Sequence, residues 1–155
     1  RVILTHISPY VFTLPGHERE EAFLLGTLSS IPFDFYARKF IETAVDIHFM
    51  KAFPIPLGID SLPGMRLIEN VYSLVPNEAA YVPWRNSLLG SIGEVRNSEN
   101  TAELIIENDA LVAILFGLNE KELEYIFDNF QRGWDSETRK QKTLEIFRHW
   151  KGMTL

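Results

Sequence analysis

Cysteine is absent from this 155-residue sequence, and long apolar runs are absent as well. Without a thiol there is no disulfide framework, no thiolate metal site and no cysteine nucleophile, and such a chain fits a reducing compartment. No apolar run approaches the length of a membrane span, and residues 1–14 lack the basic, apolar and small-residue order of a signal peptide. We therefore expect a cytoplasmic chain that makes no membrane contact.

The usual signatures of catalysis are missing too. The histidines never recur at the helical spacing of a metal site, and no HExxH motif occurs. The glycines form neither GxGxxG nor a phosphate-binding loop, and no serine lies in a GxSxG elbow. The carboxylates are scattered, with no specific pair of the kind that cleaves glycosides. The sequence predicts no metal site and no catalytic residue of its own.

Cationic charge is scarce, since the formal net charge is −6. This balance argues against a nucleic-acid binder taken as a whole, because phosphate contacts need clustered Lys and Arg. Up to Arg66, however, six basic residues face seven acidic ones, so the first part is near neutral. Most of the acidity lies later, on what we interpret as a solvated helical face. For the late basic residues Arg139, Lys140 and Lys142 we expect a solvated face, with a phosphate contact as the alternative.

The chain is long enough to bury a core, and 46% of its residues are hydrophobic. It begins at Arg1 rather than at a methionine and enters directly a strand-like VILTHI, so we expect a piece of a longer polypeptide. In the first part the pattern predicts strands over residues 2–7 and 45–50, and a strand or turn over 10–14. Between them lie two helices, the second capped by Ser29 or Ser30, and Gly26 in the first is a candidate for close approach.

The later residues predict helices throughout. A third helix begins at Asp60 or Ser61, a short one spans 84–92, and a strongly apolar one spans 101–116. Asn119 and Glu122 form a capping-box pattern that starts a further helix and predicts a helical hairpin. The fold class is therefore predicted to be α+β and mainly helical, with short strands and a helix pair first, then a helical bundle or hairpin array. We assign residues 1–60 to the first part and 61–155 to the second.

Three segments of the first part carry a resemblance: RVILTHISPYVFTLP, FLLGTLSSIPFDFYARKFIE and DIHFMKAFPIP. They resemble the carboxy-terminal target-recognition region of adenine-N6 DNA methyltransferases of the single-chain, type IIG-like restriction–modification family. NDALVAILFGLNEKELEYIFDNF is similar to a segment common near the end of the same enzymes. The two matches cover most of the chain in the same order. The sequence departs from the pattern at Ser29-Ser30, where Asn-Ser is expected, at His48 instead of asparagine, and at Phe116 instead of tyrosine.

The resemblance implies a division of labour between this region and a catalytic domain elsewhere in the parent enzyme. That domain binds S-adenosylmethionine, flips an adenine out of the duplex and methylates it, whereas this region holds double-stranded DNA and helps to select the sequence. The methylation signature Asn-Pro-Pro-Tyr/Phe is absent here. The region itself is thus expected to be non-catalytic and without cofactor, with DNA and the methyltransferase domain of the same chain as partners.

Five residues flank the change from helix to strand pattern and are our candidate DNA-binding residues. They are Arg38, Lys39, Thr43, His48 and Lys51. Long cations reach phosphates and guanine edges, and a hydroxyl or an imidazole offers further hydrogen bonds.

Each candidate has an alternative explanation. The helix dipole alone favours Arg38 and Lys39 at a helix C-terminus, Lys51 suits an edge strand, and His48 suits a half-buried position. Aromatic residues beside them also have two interpretations, as a stacking platform or as ordinary core. These residues are Phe33, Phe35, Tyr36 and Phe49.

Two further function classes remain open. The acidic helical half suits a protein-interaction or dimerisation module, which docks onto a methyltransferase domain or another partner or forms a homodimer. A small-molecule enzyme ranks last, because no acid, base and nucleophile set converges in the sequence.

Overall fold

Every regular element among the residues that the structure describes is an α-helix. The structure is a computed structural model of the chain and describes residues 13–41, 47–93, 95, 100–130 and 136–153. The helices are α1 (Glu18–Leu28), α2 (Ile31–Ala37), α3 (Ile47–Ala52), α4 (Leu62–Leu74), α5 (Val82–Ile92), α6 (Thr101–Leu115), α7 (Glu120–Asn129) and α8 (Ser136–Met153). None of the helices in these ranges has the length and apolar character needed to cross a membrane.

The predicted α+β class is wrong for the described part of the chain, whereas the mainly helical character is confirmed. Of the strand expected over residues 45–50, the described residues 47–50 belong to the helix α3. An apolar run this short does not distinguish strand from helix by its periodicity. The strand expected over residues 2–7 lies outside the described residues. Of the segment 10–14, only Thr13 and Leu14 are described, and neither lies in a strand.

Local capping signals start the helices where the sequence predicts. The Ser30 hydroxyl accepts the Phe33 N–H at the start of α2, and the Ser61 hydroxyl accepts the Gly64 N–H at the start of α4. At α7 the Asn119 side chain accepts the Glu122 N–H while the Glu122 carboxylate accepts the Asn119 N–H, which is a complete capping box. These caps are made within three residues and so depend little on the tertiary structure.

A first apolar cluster joins α1, α4, α5 and α6. It includes side chains on both sides of residue 60, so the two parts assigned from the sequence are packed into one core. Its buried members are Ala22, Phe23, Leu67, Ile68, Val71, Leu88, Leu111 and Val112. Hydrophobic burial of this kind is the main favourable contribution to folding.

A second apolar cluster joins α6, α7 and α8. Its buried members are Ala110, Ala113, Leu123, Phe127, Leu144 and Phe147. Because both clusters use α6, all residues from Asn108 to Ala113 are buried, so this part of the helix is covered on all sides rather than on the single face that its sequence pattern suggested. Besides sharing this cluster with α6, α7 packs against α8 and α2.

A carboxylate ties α4, α6 and α8 together. Glu107 of α6 accepts hydrogen bonds from the Arg66 guanidinium and from the Asn70 amide at 2.8 Å, both on α4. It also accepts the indole N–H of Trp150 of α8 at 3.1 Å. A carboxylate with several charge-assisted donors fixes the relative orientation of the helices that supply them.

We expect Gly26→Ala to destabilise the fold by about 1–2 kcal/mol. A methyl group there would lie 2.8 Å from two carbons of the Leu67 side chain and 3.0 Å from the Val71 side chain, and both residues are buried. Overpacking of this kind costs about 1–3 kcal/mol, against a gain of up to about 1 kcal/mol from replacing a helical glycine. Urea unfolding followed by circular dichroism measures the difference.

Gly90→Ala in α5 is the matched control, since no atom lies within 4 Å of the methyl group that it would add. We expect this variant to be as stable as the parent chain or more stable. Equal effects of the two substitutions would contradict close packing of α1 on α4.

Candidate nucleic-acid interface

The helix that directly precedes two of the candidate residues, α2, is held at its N-terminus by a buried carboxylate. Asp109 of α6 accepts the Ile31 N–H at 2.8 Å, and it accepts two hydrogen bonds from the Arg139 guanidinium of α8 at 2.9 and 2.5 Å. The Asp109 side chain is fully buried. A negative charge at the first N–H groups of a helix is also favoured by the helix dipole. Asp109 therefore fixes where α2 starts relative to α6 and α8.

Burial raises the pKa of Asp109 to about 6, even though Arg139 and the Ile31 N–H act in the opposite direction. Desolvation disfavours the charged form of a carboxyl group, and here it outweighs the paired cation.

The late basic residues Arg139, Lys140 and Lys142, which the sequence predicts on a solvated face, differ in their exposure. Arg139 binds Asp109 and Lys140 binds Asp128, so neither lies on a freely solvated face, whereas Lys142 is exposed.

Arg38 and Lys39 lie exposed where α2 ends, and each lies against an aromatic ring. The Arg38 guanidinium is 5.5 Å from the ring centroid of Phe130 and pairs with Asp34 at 2.9 Å. The Lys39 ammonium is 4.5 Å from the ring centroid of Phe35. Cations over aromatic faces are held by the ring quadrupole. The structure thus brings these two candidates together on one surface with their charged ends accessible.

The other three candidates are only partly described. Lys51 is exposed in the last turn of α3. His48 lies within α3, but its side chain is outside the described part, as is the whole of Thr43. Shortly after Lys51 the chain reaches Phe53, whose ring packs against Phe33 at 5.3 Å and Tyr36 at 6.5 Å between ring centroids. The end of α3 therefore leads directly to the aromatic side chains of α2.

The aromatic residues divide between core and surface. Phe33 is buried, so the core explanation holds for it, whereas Tyr36 is 39% exposed and lies 5.0 Å from Phe40, which is 50% exposed. The side chain of Phe49 lies outside the described residues. Phe35 packs edge-to-face on two rings that the sequence did not associate with it. They are Tyr125 and Phe130, which belong to α7 and to the residue after it.

A groove lies beside this surface, and we call it the aromatic groove. Its volume is about 320 Å³, and it is formed by α2, the segment after α3, the connection before α7 and α7 itself. It is lined by Pro32, Phe35, Tyr36, Pro54, Phe116, Leu118 and Ile126. Tyr36 is the single member of this lining with a polar side-chain atom. The groove therefore offers flat apolar surfaces with a cation, Lys39, above one of its rings.

A second groove, of about 410 Å³, lies between α6 and α8. Glu103, Glu145, Lys142 and His149 are among its lining residues, and its Glu107 is already bonded to Arg66 and Trp150. Within the described ranges, no group of three or more His, Cys, Asp or Glu side chains is placed to hold a metal ion. The described lining of this second groove therefore carries charges of both signs and shows no arrangement typical of a specific binding site.

No protein-family model matches this sequence, and no similar protein was found among curated proteins or solved structures.

The raised pKa of Asp109 predicts a pH-dependent effect of Asp109→Asn. Between about pH 4 and pH 6 the folded chain keeps a proton on Asp109 that the unfolded chain, with the ordinary value of 3.8, has released. The free energy of unfolding of the parent chain therefore falls by about 2 kcal/mol between pH 4 and pH 7 through this group. Asparagine does not titrate, so the substitution costs about 2 kcal/mol more at pH 4 than at pH 7.

Urea unfolding of both chains at the two pH values measures this difference. Asp128→Asn, which removes an exposed carboxylate paired with Lys140, controls for the loss of a surface charge. A substitution cost that grows toward pH 7 would mean that the pairing with Arg139 outweighs burial, contrary to the expected sign.

Proposed function

We propose that this chain is the DNA-binding target-recognition region of an adenine-specific DNA methyltransferase or restriction–modification enzyme and is non-catalytic by itself. The observation that carries the DNA-binding part is the placement of Arg38 and Lys39, which are exposed side by side at the end of α2 and lie over the rings of Phe130 and Phe35. Cations interleaved with aromatic rings suit phosphates and bases together.

The net charge of −6 does not oppose this proposal as strongly as it first suggests. Charges farther apart than about 10 Å are largely screened at 0.1 M ionic strength, so the local group of cations determines the contact. Around the end of α2 the described cations are Arg38 and Lys39, and Asp34 compensates part of the Arg38 charge. Among the described residues, Lys39 contacts a ring and no carboxylate, so it is the stronger candidate for a phosphate contact.

The identity of the parent enzyme is supported by the sequence resemblance alone. In this proposal the parent acts in the cytoplasm, and a separate domain binds S-adenosylmethionine and methylates adenine, with or without an associated nuclease. The coding sequence upstream of Arg1 tests this part directly. An Asn-Pro-Pro-Tyr/Phe motif there supports the proposal, whereas an upstream reading frame without a methyltransferase domain contradicts it.

A specific observation also favours a protein-docking role for another surface. Leu57 is 91% exposed, and the nearby Leu62 and Met65, one helical turn apart on α4, are exposed as well. Exposed apolar residues that cluster in this way mark interaction surfaces. DNA-independent association of the chain with a methyltransferase domain, lost on Leu57→Ser with Met65→Ser, would support this second function.

We expect Arg38→Ala combined with Lys39→Ala to weaken duplex DNA binding and to reduce its salt dependence. Each phosphate contact that is lost reduces the slope of log affinity against log salt by about 0.9, so loss of both predicts a reduction of about 1.8. Fluorescence anisotropy with a labelled duplex at several salt concentrations measures the slope. Both side chains are exposed, so the fold is expected to remain, as thermal unfolding can check.

The matched control is Lys121→Ala combined with Lys142→Ala, which removes the same charge from exposed positions on α7 and α8. We expect this control to leave the slope nearly unchanged. If both double variants weaken binding equally, the effect is one of net charge, and the end of α2 is not the interface.

A further inference from the structure

We propose that the aromatic groove binds an unpaired nucleobase of a DNA whose backbone is held by Lys39 and Arg38. This inference rests on the proposed function and adds a ligand class to the same surface. It concerns a base that has left the double-helical stack, whereas the proposed function concerns contacts with paired duplex DNA.

The lining of the groove is the first argument. A nucleobase is a flat ring system whose faces are apolar and whose edges are polar, so it binds well where aromatic faces are accessible and the edges remain in water. Tyr36 offers such a face, since it lines the groove and is 39% exposed, and its ring packs against Phe40 and Phe53. The volume of about 320 Å³ accommodates a purine together with part of its sugar.

The position of the cations is the second argument. The Lys39 ammonium lies 4.5 Å from the ring centroid of Phe35, which itself lines the groove. Arg38 lies over Phe130, and Phe130 packs edge-to-face on Phe35 with ring centroids 6.0 Å apart. A positive rim beside an apolar groove complements a nucleotide, in which a flat ring and an anionic phosphate are joined by one sugar.

The chemistry of the lining also predicts how selective the groove is. Apart from the Tyr36 hydroxyl, no side chain of the lining donates or accepts a hydrogen bond. Stacking without hydrogen bonds to base edges discriminates little between bases. The groove is therefore expected to accept purines more tightly than pyrimidines, because of their larger stacking area, and not to read the sequence.

Two duplexes of the same sequence, one carrying an extra unpaired 2-aminopurine, test the inference. We expect the chain to bind the bulged duplex about tenfold more tightly than the paired one, and the fluorescence of 2-aminopurine to fall on binding as its ring stacks. Tyr36→Leu keeps an apolar side chain but removes the aromatic face, so it should weaken the binding of the bulged duplex and bring the ratio of affinities close to one. Tyr36→Phe should retain the preference.

Arg38→Ala with Lys39→Ala separates this inference from the proposed function, because it should weaken both duplexes alike. Equal affinity of the parent chain for the two duplexes, together with loss of binding in this double variant, refutes the base-binding groove and retains the DNA-binding function. A preference for the bulge that persists in Tyr36→Leu also refutes it. Unchanged binding of both duplexes by Tyr36→Leu refutes it as well, and this result is expected if the groove instead holds an apolar side chain of a protein partner. Failure to bind either duplex at low salt and at chain concentrations up to about 1 mM, where even a few phosphate contacts give measurable binding, refutes both proposals.

Discussion

The fully buried carboxylate of Asp109 is the interaction on which the arrangement of the candidate surface depends. Removing this charge from water is costly, and three hydrogen bonds from Arg139 and the Ile31 N–H offset part of the cost. These donors come from α8 and from the first residue of α2, while the acceptor belongs to the most buried helix, α6. A single side chain thus sets the position of three helices, and the chain cannot shift one of them without leaving a buried charge unpaired.

This constraint matters most for α2, which has only seven residues. A helix so short is not stable in water by itself and depends on its tertiary contacts. The Ser30 cap and Asp109 hold its N-terminal end, and buried Pro32, Phe33 and Ala37 hold one face. The C-terminal end of α2 is exposed. It carries the ring of Tyr36 and is followed by the cations Arg38 and Lys39. The position of these groups is therefore determined by residues of α2 itself together with Asp109, which is distant in sequence.

The parts of this structure that were predictable from sequence are those encoded within a few residues. The caps at Ser30, Ser61 and Asn119 satisfy helix N–H groups one turn away, so their patterns suffice to locate helix starts. The prediction of a strand before Lys51 is wrong because a short alternating run of apolar residues fits a helix equally well. Contacts that join distant segments left no local signal. Asp109 and Arg139 are 30 residues apart, and Arg139 alone suggested a solvated position.

The small number of accessible cations also bears on how the proposed function would work. Proteins that bind duplex DNA tightly make about six to ten phosphate contacts, and the described end of α2 offers Arg38 and Lys39. Two contacts do not supply high affinity to a chain with a net charge of −6. In the proposed function the remaining phosphate contacts therefore belong to another part of the parent polypeptide. The contribution of this region is then positional: α2, fixed by Asp109, presents a few cations and rings at a defined place along DNA that the catalytic domain already holds.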